Sequence, residues 1–312
     1  MAVFTPVEEA DAEPFIRRFG AGQLRALTPI AEGIQNTNYR VDTDQGRFVL
    51  TLFEARTEVA SLPFCLDLTD HLASRSLPTA RPLRDAEGRT TAYLCDRPAA
   101  VLEWLGGTWK REPSLADHAA AGEMLARLHL AAADFDGVRP NPVGPAARRD
   151  LFEACVRRAS GSDRAILERC ALWVEIDPGC DLPQGVIHAD YFPDNVLFEG
   201  DAISGVIDFY YACNDALAYD LAIALSAWGF DAEGAVMPAA LEAFQAGYES
   251  LRPLSPAESA ALPALGAVAA TRFTLTRLHD QLYHDPSALV TPKDPAPFVR
   301  RLDWWTRVPL AA

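Results

Sequence analysis

VIHADYFPDNVLF, residues 186–198, followed by GVIDF at 205–209, is the stretch on which the reading of this chain turns. Each polar element in it abuts a short apolar run: Gly185-Val186-Ile187 before His188, Val196-Leu197-Phe198 after Asn195, and Gly205-Val206-Ile207 before Asp208. Apolar runs of this length, bounded by turn residues, read as short buried strands. The segment therefore predicts loop, strand, turn, strand, with His188, Asp190, Asn195 and Asp208 at strand ends. Asp and Asn favour turns on their own account. Their repeated placement at the ends of buried strands is what sets these apart from ordinary turn residues.

The spacing is H-x-D-x4-N with a further Asp downstream, the order that protein kinases show in H-R-D-x4-N and then D-F-G. Phosphoryl transfer explains the residue types. The γ-phosphate is already electrophilic, so a protein mostly supplies position and charge. Asp190 is placed to accept the proton of an acceptor hydroxyl. Asn195 and Asp208 offer hard oxygen ligands for the Mg2+ that bridges the phosphates of ATP. His188 is expected to brace the loop through hydrogen bonds.

Working outward, the first third of the chain is β-rich: RALTPIAEG, NYRVDT, GRFVLTLFE and TAYLCDRPAAVLEWL are short apolar or alternating runs broken by Gly and Asp. Asp44-Gln45-Gly46 reads as a hairpin turn. One main helix, roughly Glu58 to Ser74, carries Leu62, Leu66, Thr69 and Leu72 on one face. From about residue 105 the period turns helical. Ser114 and Asp117 form a capping-box pattern, and Ser255-Pro256-Ala257-Glu258 is a second helix start. Residues 134–147 are rich in Pro and Gly and read as a long loop, with helices near 150–159 and 163–176. The expected architecture is α+β and bilobal, protein-kinase-like, with an N-terminal lobe over 1–104 and a mostly helical C-terminal lobe over 105–312.

The larger pattern resembles the aminoglycoside-phosphotransferase-like kinases. Leu125-Ala-Arg-Leu-His129 resembles that family's L-x-x-L-H helix, and Asp220 resembles the Asp that supports its metal loop. The runs IAEGIQNTNY, RFVLTLFE, VIHADYFPDNVLF and VIDFYYACNDALAYDLAIAL look like the bacterial homoserine kinases of this fold. The likeness extends over about residues 3–280, and the D-F-Y-x-A-C-N-D-x-L-A-Y-D run is its most specific part. It implies phosphoryl transfer from ATP, with Mg2+, to the side-chain hydroxyl of L-homoserine.

On that reading, the loop around Gly33, Asn36, Thr37 and Asn38 covers the phosphates with backbone N–H groups. Backbone groups of Glu103 and Leu105 meet the adenine edge. One departure matters. Kinases place a Lys on the strand after the phosphate loop, and here Thr51 stands in that position, with Arg56 as a nearby cation. Arg272 and Arg277 are candidates for the substrate carboxylate, since Arg binds carboxylates bidentately. Tyr210, Tyr211 and Asn214 are candidates for the pocket wall.

Composition bounds the alternatives. The chain has 312 residues, 49% hydrophobic and 23% charged, the balance of a soluble globular protein large enough for two lobes. No apolar run reaches the roughly 18 residues of a membrane span. The acidic start MAVFTPVEEADAEPF does not read as a secretory signal, so a cytoplasmic protein is expected. The net charge of −15 disfavours nucleic acid. Two rivals remain: a sister kinase for an aminoglycoside, choline or another hydroxylated metabolite, and a nucleotide-binding pseudokinase.

Overall fold

Strands β2 (Thr37–Thr43) and β3 (Arg47–Leu52) form the expected hairpin, closed by the Thr43 N–H donating to Gly46 O at 2.8 Å. The computed structural model describes residues 5–30, 36–54, 58–284 and 291–308. Gly33 and Arg56 lie outside the described residues. With β1 (Leu24–Pro29), β4 (Ala92–Leu94) and β5 (Arg97–Glu103), the hairpin builds an antiparallel sheet of order β1-β2-β3-β5-β4. Side chains alternate across it as the two-residue strand period requires. On one face Tyr39, Val41, Leu50, Leu52 and Val101 pack with Phe15, Ile16 and Phe19 from helix α1 (Glu9–Arg18) and its C-cap. On the other face Phe53, Ala100 and Leu102 pack with Leu62 and Leu66 of α2 (Leu62–Ser74).

The sequence reading foresaw one helix among these strands and the structure has two. α1 escapes it because its apolar positions are sparse and Pro14 sits inside the helix. The helix expected from Glu58 begins instead as a 3-10 turn, Val59–Ser61, that leads into α2.

The chain divides into two compact units. The first holds the residues up to Gly107 and the returning segment Ser204–Tyr210, so Asp208 belongs to it. The second holds Thr108–Ile203 and most of the chain from Tyr211 onward. The second unit contains α3 (Leu115–Ala131), α4 (Pro145–Arg158), α5 (Ser162–Cys170), β6 (Gln184–Ile187) and β7 (Val196–Glu199). Beyond β8 (Ala202–Val206) follow β9 (Cys213–Ala216), α6 (Leu217–Trp228), α7 (Pro238–Glu249), α8 (Pro256–Leu282) and α9 (Ala296–Trp305). α4 starts at Pro145, inside the expected loop, because Pro suits the first turn of a helix where no N–H partner is needed.

The sequence-read capping box of Ser114 and Asp117 opens α3, and the helix start at Ser255 proves to be a capping box too, with Glu258 opening α8. α6 is buried over nearly its whole length, which an apolar helix without a polar face demands. α3 and α7 pack backbone to backbone. A Cβ at Gly122 would stand 2.0 Å from Phe244 O, and one at Gly247 would stand 2.0 Å from Ala119 O. That close approach sets the distance between His129 near the end of α3 and Tyr248 near the end of α7.

Candidate active site

β6 pairs antiparallel with β9, Ile187 opposite Cys213, and releases the chain into the loop that carries the motif. The loop is held from beneath by one buried carboxylate. Asp220, fully buried in the first turn of α6, accepts from the His188 N–H at 2.7 Å and the Ala189 N–H at 2.8 Å. It also accepts from His129 Nε2 at 3.0 Å. Burial works to raise its pKa, and these bonds, His129 foremost, outweigh it, so the carboxyl stays below its ordinary range.

Asp220 can only accept, so the proton of His129 sits on Nε2 and Nδ1 takes the Tyr248 hydroxyl at 2.8 Å. Arg252 then donates to Tyr248 Oη at 3.1 Å and to Glu258 Oε1 at 2.6 Å. Glu258 closes the α8 cap with its other oxygen, accepting from the Ser255 N–H at 2.9 Å. The loop is thus anchored through four helices by a continuous polar chain. Sequence reasoning reached His129 and Asp220 by resemblance. It read Glu258 only as part of a helix start and had no signal for Tyr248 or Arg252, which lie in no local pattern.

Ala189, just before the expected base, has φ of 61°, in the left-handed region that a residue with a Cβ avoids. It is pinned on both sides. Its N–H is bound by Asp220, and its carbonyl accepts from Arg272 Nη1 at 2.5 Å. Such strain persists only where the surroundings over-determine it. Asp190 is half-buried. Burial raises its pKa, with Arg272 and then His188 pulling the other way, and the net shift is upward. His188 is fully buried, and its Nδ1 accepts from the Asp190 N–H at 3.3 Å. Asn195 donates through Nδ2 to Asp190 O at 2.8 Å. Its Oδ1, the atom a hard cation takes, is turned away from that bond and engaged by no described residue.

Arg272 is 2% exposed and lies between the rings of Tyr211, at 5.1 Å, and Phe273, at 4.5 Å. Its Nη1 donates to the loop carbonyl, while its Nε is buried with no hydrogen-bond partner among the described residues. Arg277 is half-buried, donates to Asp294 O at 3.0 Å and lies over the Phe298 ring. Burial lowers its pKa, opposed by Asp294, Asp194 and Asp190, so it shares a field with the expected base. Asn214 is tied to the backbone of Arg139, whose N–H donates to its Oδ1 at 2.7 Å.

The first unit carries the remaining candidates. Asp208 follows β8 with φ of 65°, again left-handed. Thr37 is fully buried and donates to Glu54 Oε1 at 2.7 Å, while Asn36 accepts the Glu54 N–H at 3.2 Å. Both tie the end of the phosphate loop to Glu54, and Asn38, half-buried, stands opposite Thr51 across the β2–β3 ladder. The Glu103 N–H donates to Arg81 O at 2.9 Å. Tyr210, expected at the acceptor, has its ring edge-on to Phe53 at 5.2 Å, and burial raises the pKa of its hydroxyl.

Among the described residues no three His, Cys, Asp or Glu side chains gather as a metal cage. Mg2+ usually takes one or two protein carboxylates with substrate phosphates and water, not a closed protein cage. Asn195 offers an amide oxygen and Asp208 a carboxylate on a strained turn, each a donor of that chemistry.

Residues 26–254 match the model of the phosphotransferase enzyme family. Amicoumacin kinase hAmiN, solved with AMP-PNP and Ca2+, superposes with a TM-score of 0.71 at 16% identity over 96% of this chain and 94% of that one. A spectinomycin phosphotransferase superposes with a TM-score of 0.67 at 12% identity over 96% and 99%. At these identities the likeness speaks for the fold. The chain belongs to the phosphotransferase enzyme family and has its kinase-like fold. Within reach of its full length stand relatives of one activity. The homoserine kinase of Afipia carboxidovorans is 46% identical over 305 residues, covering 97% of this chain and 94% of that protein. That of Rhodospirillum rubrum is 45% identical over 307 residues, covering 97% and 95%.

Proposed function

We propose that this enzyme transfers the γ-phosphoryl group of ATP to the side-chain hydroxyl of L-homoserine, giving O-phospho-L-homoserine for threonine biosynthesis. The observation that carries the reading is the pinned catalytic loop, in which two charged side chains hold a strained Ala189 so that Asp190 is presented in one orientation. Relatives of near-equal length and this activity support the choice of acceptor.

Asp190 orients the acceptor hydroxyl and takes its proton. The upward shift of its pKa makes it a better base than a solvated Asp, and Arg272 opposes that shift. Asn195 Oδ1 and Asp208 would hold Mg2+, which when bound neutralises charge on the phosphates. Arg277, half-buried and in the field of Asp190, is the cation for the amino-acid carboxylate, whereas Arg272 is buried and holds the loop carbonyl. Leu105 offers backbone groups to adenine. No helix among the described residues is long and apolar enough to cross a membrane, which agrees with a cytoplasmic site of action.

The test is a coupled assay of phosphoryl transfer from ATP to L-homoserine, L-serine, choline and kanamycin. L-homoserine is expected to be fastest, and L-serine slow because its hydroxyl is one methylene short. Kanamycin or choline outrunning L-homoserine would move the enzyme to a sister activity, and ATP binding without transfer to any acceptor would support the pseudokinase.

A further inference from the structure

Two arginines share one ring in the second unit. The guanidinium of Arg277, on α8, lies 4.5 Å from the centroid of the Phe298 ring, and that of Arg301, on α9, lies 4.3 Å from the same centroid. Each is otherwise held by a backbone carbonyl. Arg277 Nη1 donates to Asp294 O and Arg301 Nη2 to Asp231 O, both at 3.0 Å. Arg301 is 6% exposed and Arg277 half-buried, yet among the described residues neither makes an ion pair with an Asp or Glu. Buried guanidinium groups are as a rule paired with a carboxylate. Burial and then the charge of Arg277 hold the Arg301 pKa down to about 10, so the two cations act on each other. The negative face of an aromatic ring offsets such charges without neutralising either.

Phe298 is held in turn. It is fully buried, its ring is tilted 32° against Phe273 at 5.0 Å, and the Phe192 ring lies 6.2 Å away. Phe192 meets Phe273 edge-on at 4.9 Å. Its backbone spans the catalytic turn: the Phe192 N–H donates to Asp190 O at 2.9 Å, and Phe192 O accepts from the Asn195 N–H at 3.0 Å. One aromatic layer therefore borders both the turn that presents Asp190 and the guanidinium of Arg277. An arginine side chain is long and rotamer-rich, and a fixed ring beside it removes in advance freedom that binding a substrate would otherwise have to remove.

We infer that Phe298 is a positioning residue for the acceptor: it fixes the Arg277 guanidinium relative to the Asp190 turn, so that a carboxylate held by the first brings the hydroxyl of the same molecule to the second. This rests on Arg277 being the cation for the amino-acid carboxylate. It gives α9, which carries none of the motif residues, a part in choosing the acceptor. Both Arg277 and Phe298 lie beyond residue 254, where the match to the family model ends. The ring favours an amino-alcohol that carries a carboxylate and contributes nothing to the binding of one that lacks it.

The experiment measures kcat/KM for L-homoserine and for propanolamine, which is homoserine without its carboxylate. It compares the wild type with Phe298→Leu, Phe298→Met, Arg277→Met and the two double variants. ATP affinity, measured by calorimetry, shows that each variant is folded. Any effect of the aromatic layer on the Asp190 turn is common to both acceptors and cancels in their ratio. Phe298→Leu is expected to lower the ratio of homoserine to propanolamine about threefold or more, the scale of a lost cation–π contact, chiefly through the homoserine KM. In the Arg277→Met background it is expected to leave the ratio unchanged. Phe298→Met keeps apolar bulk without a ring and is expected to match Phe298→Leu. An unchanged ratio in both variants, an equal fall in the Arg277→Met background, or loss of ATP affinity in both would overturn the inference. A wild type that does not favour homoserine over propanolamine would instead defeat the reading of Arg277 as the carboxylate cation, and the inference with it.

Discussion

Replacing Asp220 with Asn removes one charge and almost no volume, and the structure fixes what that costs. Three N–H donors converge on two carboxylate oxygens: His188 N and His129 Nε2 on Oδ2, and Ala189 N on Oδ1. An amide keeps one oxygen. If it stays on Ala189, the NH2 end faces two donors in a site with no water access. A buried donor left unpaired costs about 1–3 kcal/mol, so the pair sums to about 2–6 kcal/mol. At about 2–4 °C per kcal/mol for a large domain, Tm should fall by at least about 4 °C and by as much as about 24 °C. There is also a pH signature. The folded pKa of Asp220 lies below its unfolded value, so its contribution is full above about pH 4, the unfolded value, and is lost as pH falls through the folded one. Asp220→Asn has no such carboxyl, and its stability should fall less steeply on acidification in that window. Urea melts at pH 7 and across the acid range measure both effects. A variant with wild-type Tm and wild-type acid slope would refute the anchoring role assigned to Asp220.

Other perturbations separate the remaining roles. Asp190→Asn should lower turnover on the order of 10² or more with Tm and ATP affinity intact; loss of ATP affinity alone would remove Asp190 from the proton transfer. Because Arg272 holds the Asp190 pKa down against burial, Arg272→Met should move the acid limb of the kcat profile to higher pH, and an unmoved or lowered limb would contradict that. Asp208→Asn should raise the Mg2+ concentration needed for half-maximal rate, read by metal titration, whereas an unchanged requirement would exclude Asp208 as a ligand. Gly122→Ala places a methyl against Phe244 O and should cost about 1–3 kcal/mol in a urea melt, with an unaltered midpoint arguing against the backbone contact.

The division between what the sequence discloses and what it conceals follows the range of the interactions. Strand alternation, the Asp44–Gly46 hairpin and the helix starts at Ser114 and Ser255 depend on residues a few positions apart, and all are legible. His188, Asp190, Asn195 and Asp208 are legible because each adjoins an apolar strand. α1 is hidden by its sparse apolar positions. The contact of Arg272 with the Ala189 carbonyl is hidden for a different reason: both arginine candidates lie on α8, and the carbonyl that one of them meets lies far away in sequence. Thr51 was readable as a departure, but its hydrogen bond to Asn38 depends on cross-strand register.

The polar chain beneath the catalytic loop also bears on the order of assembly. His129 meets Asp220 across 91 residues of sequence, and Tyr248 across 119. Contacts of such separation are paid for in loop-closure entropy and form after local ones. During refolding the helices can therefore gain their hydrogen bonds well before α3, α6, α7 and α8 are mutually docked, and only docking completes the support under Ala189. Enzymatic competence is therefore expected to trail the recovery of helicity on refolding.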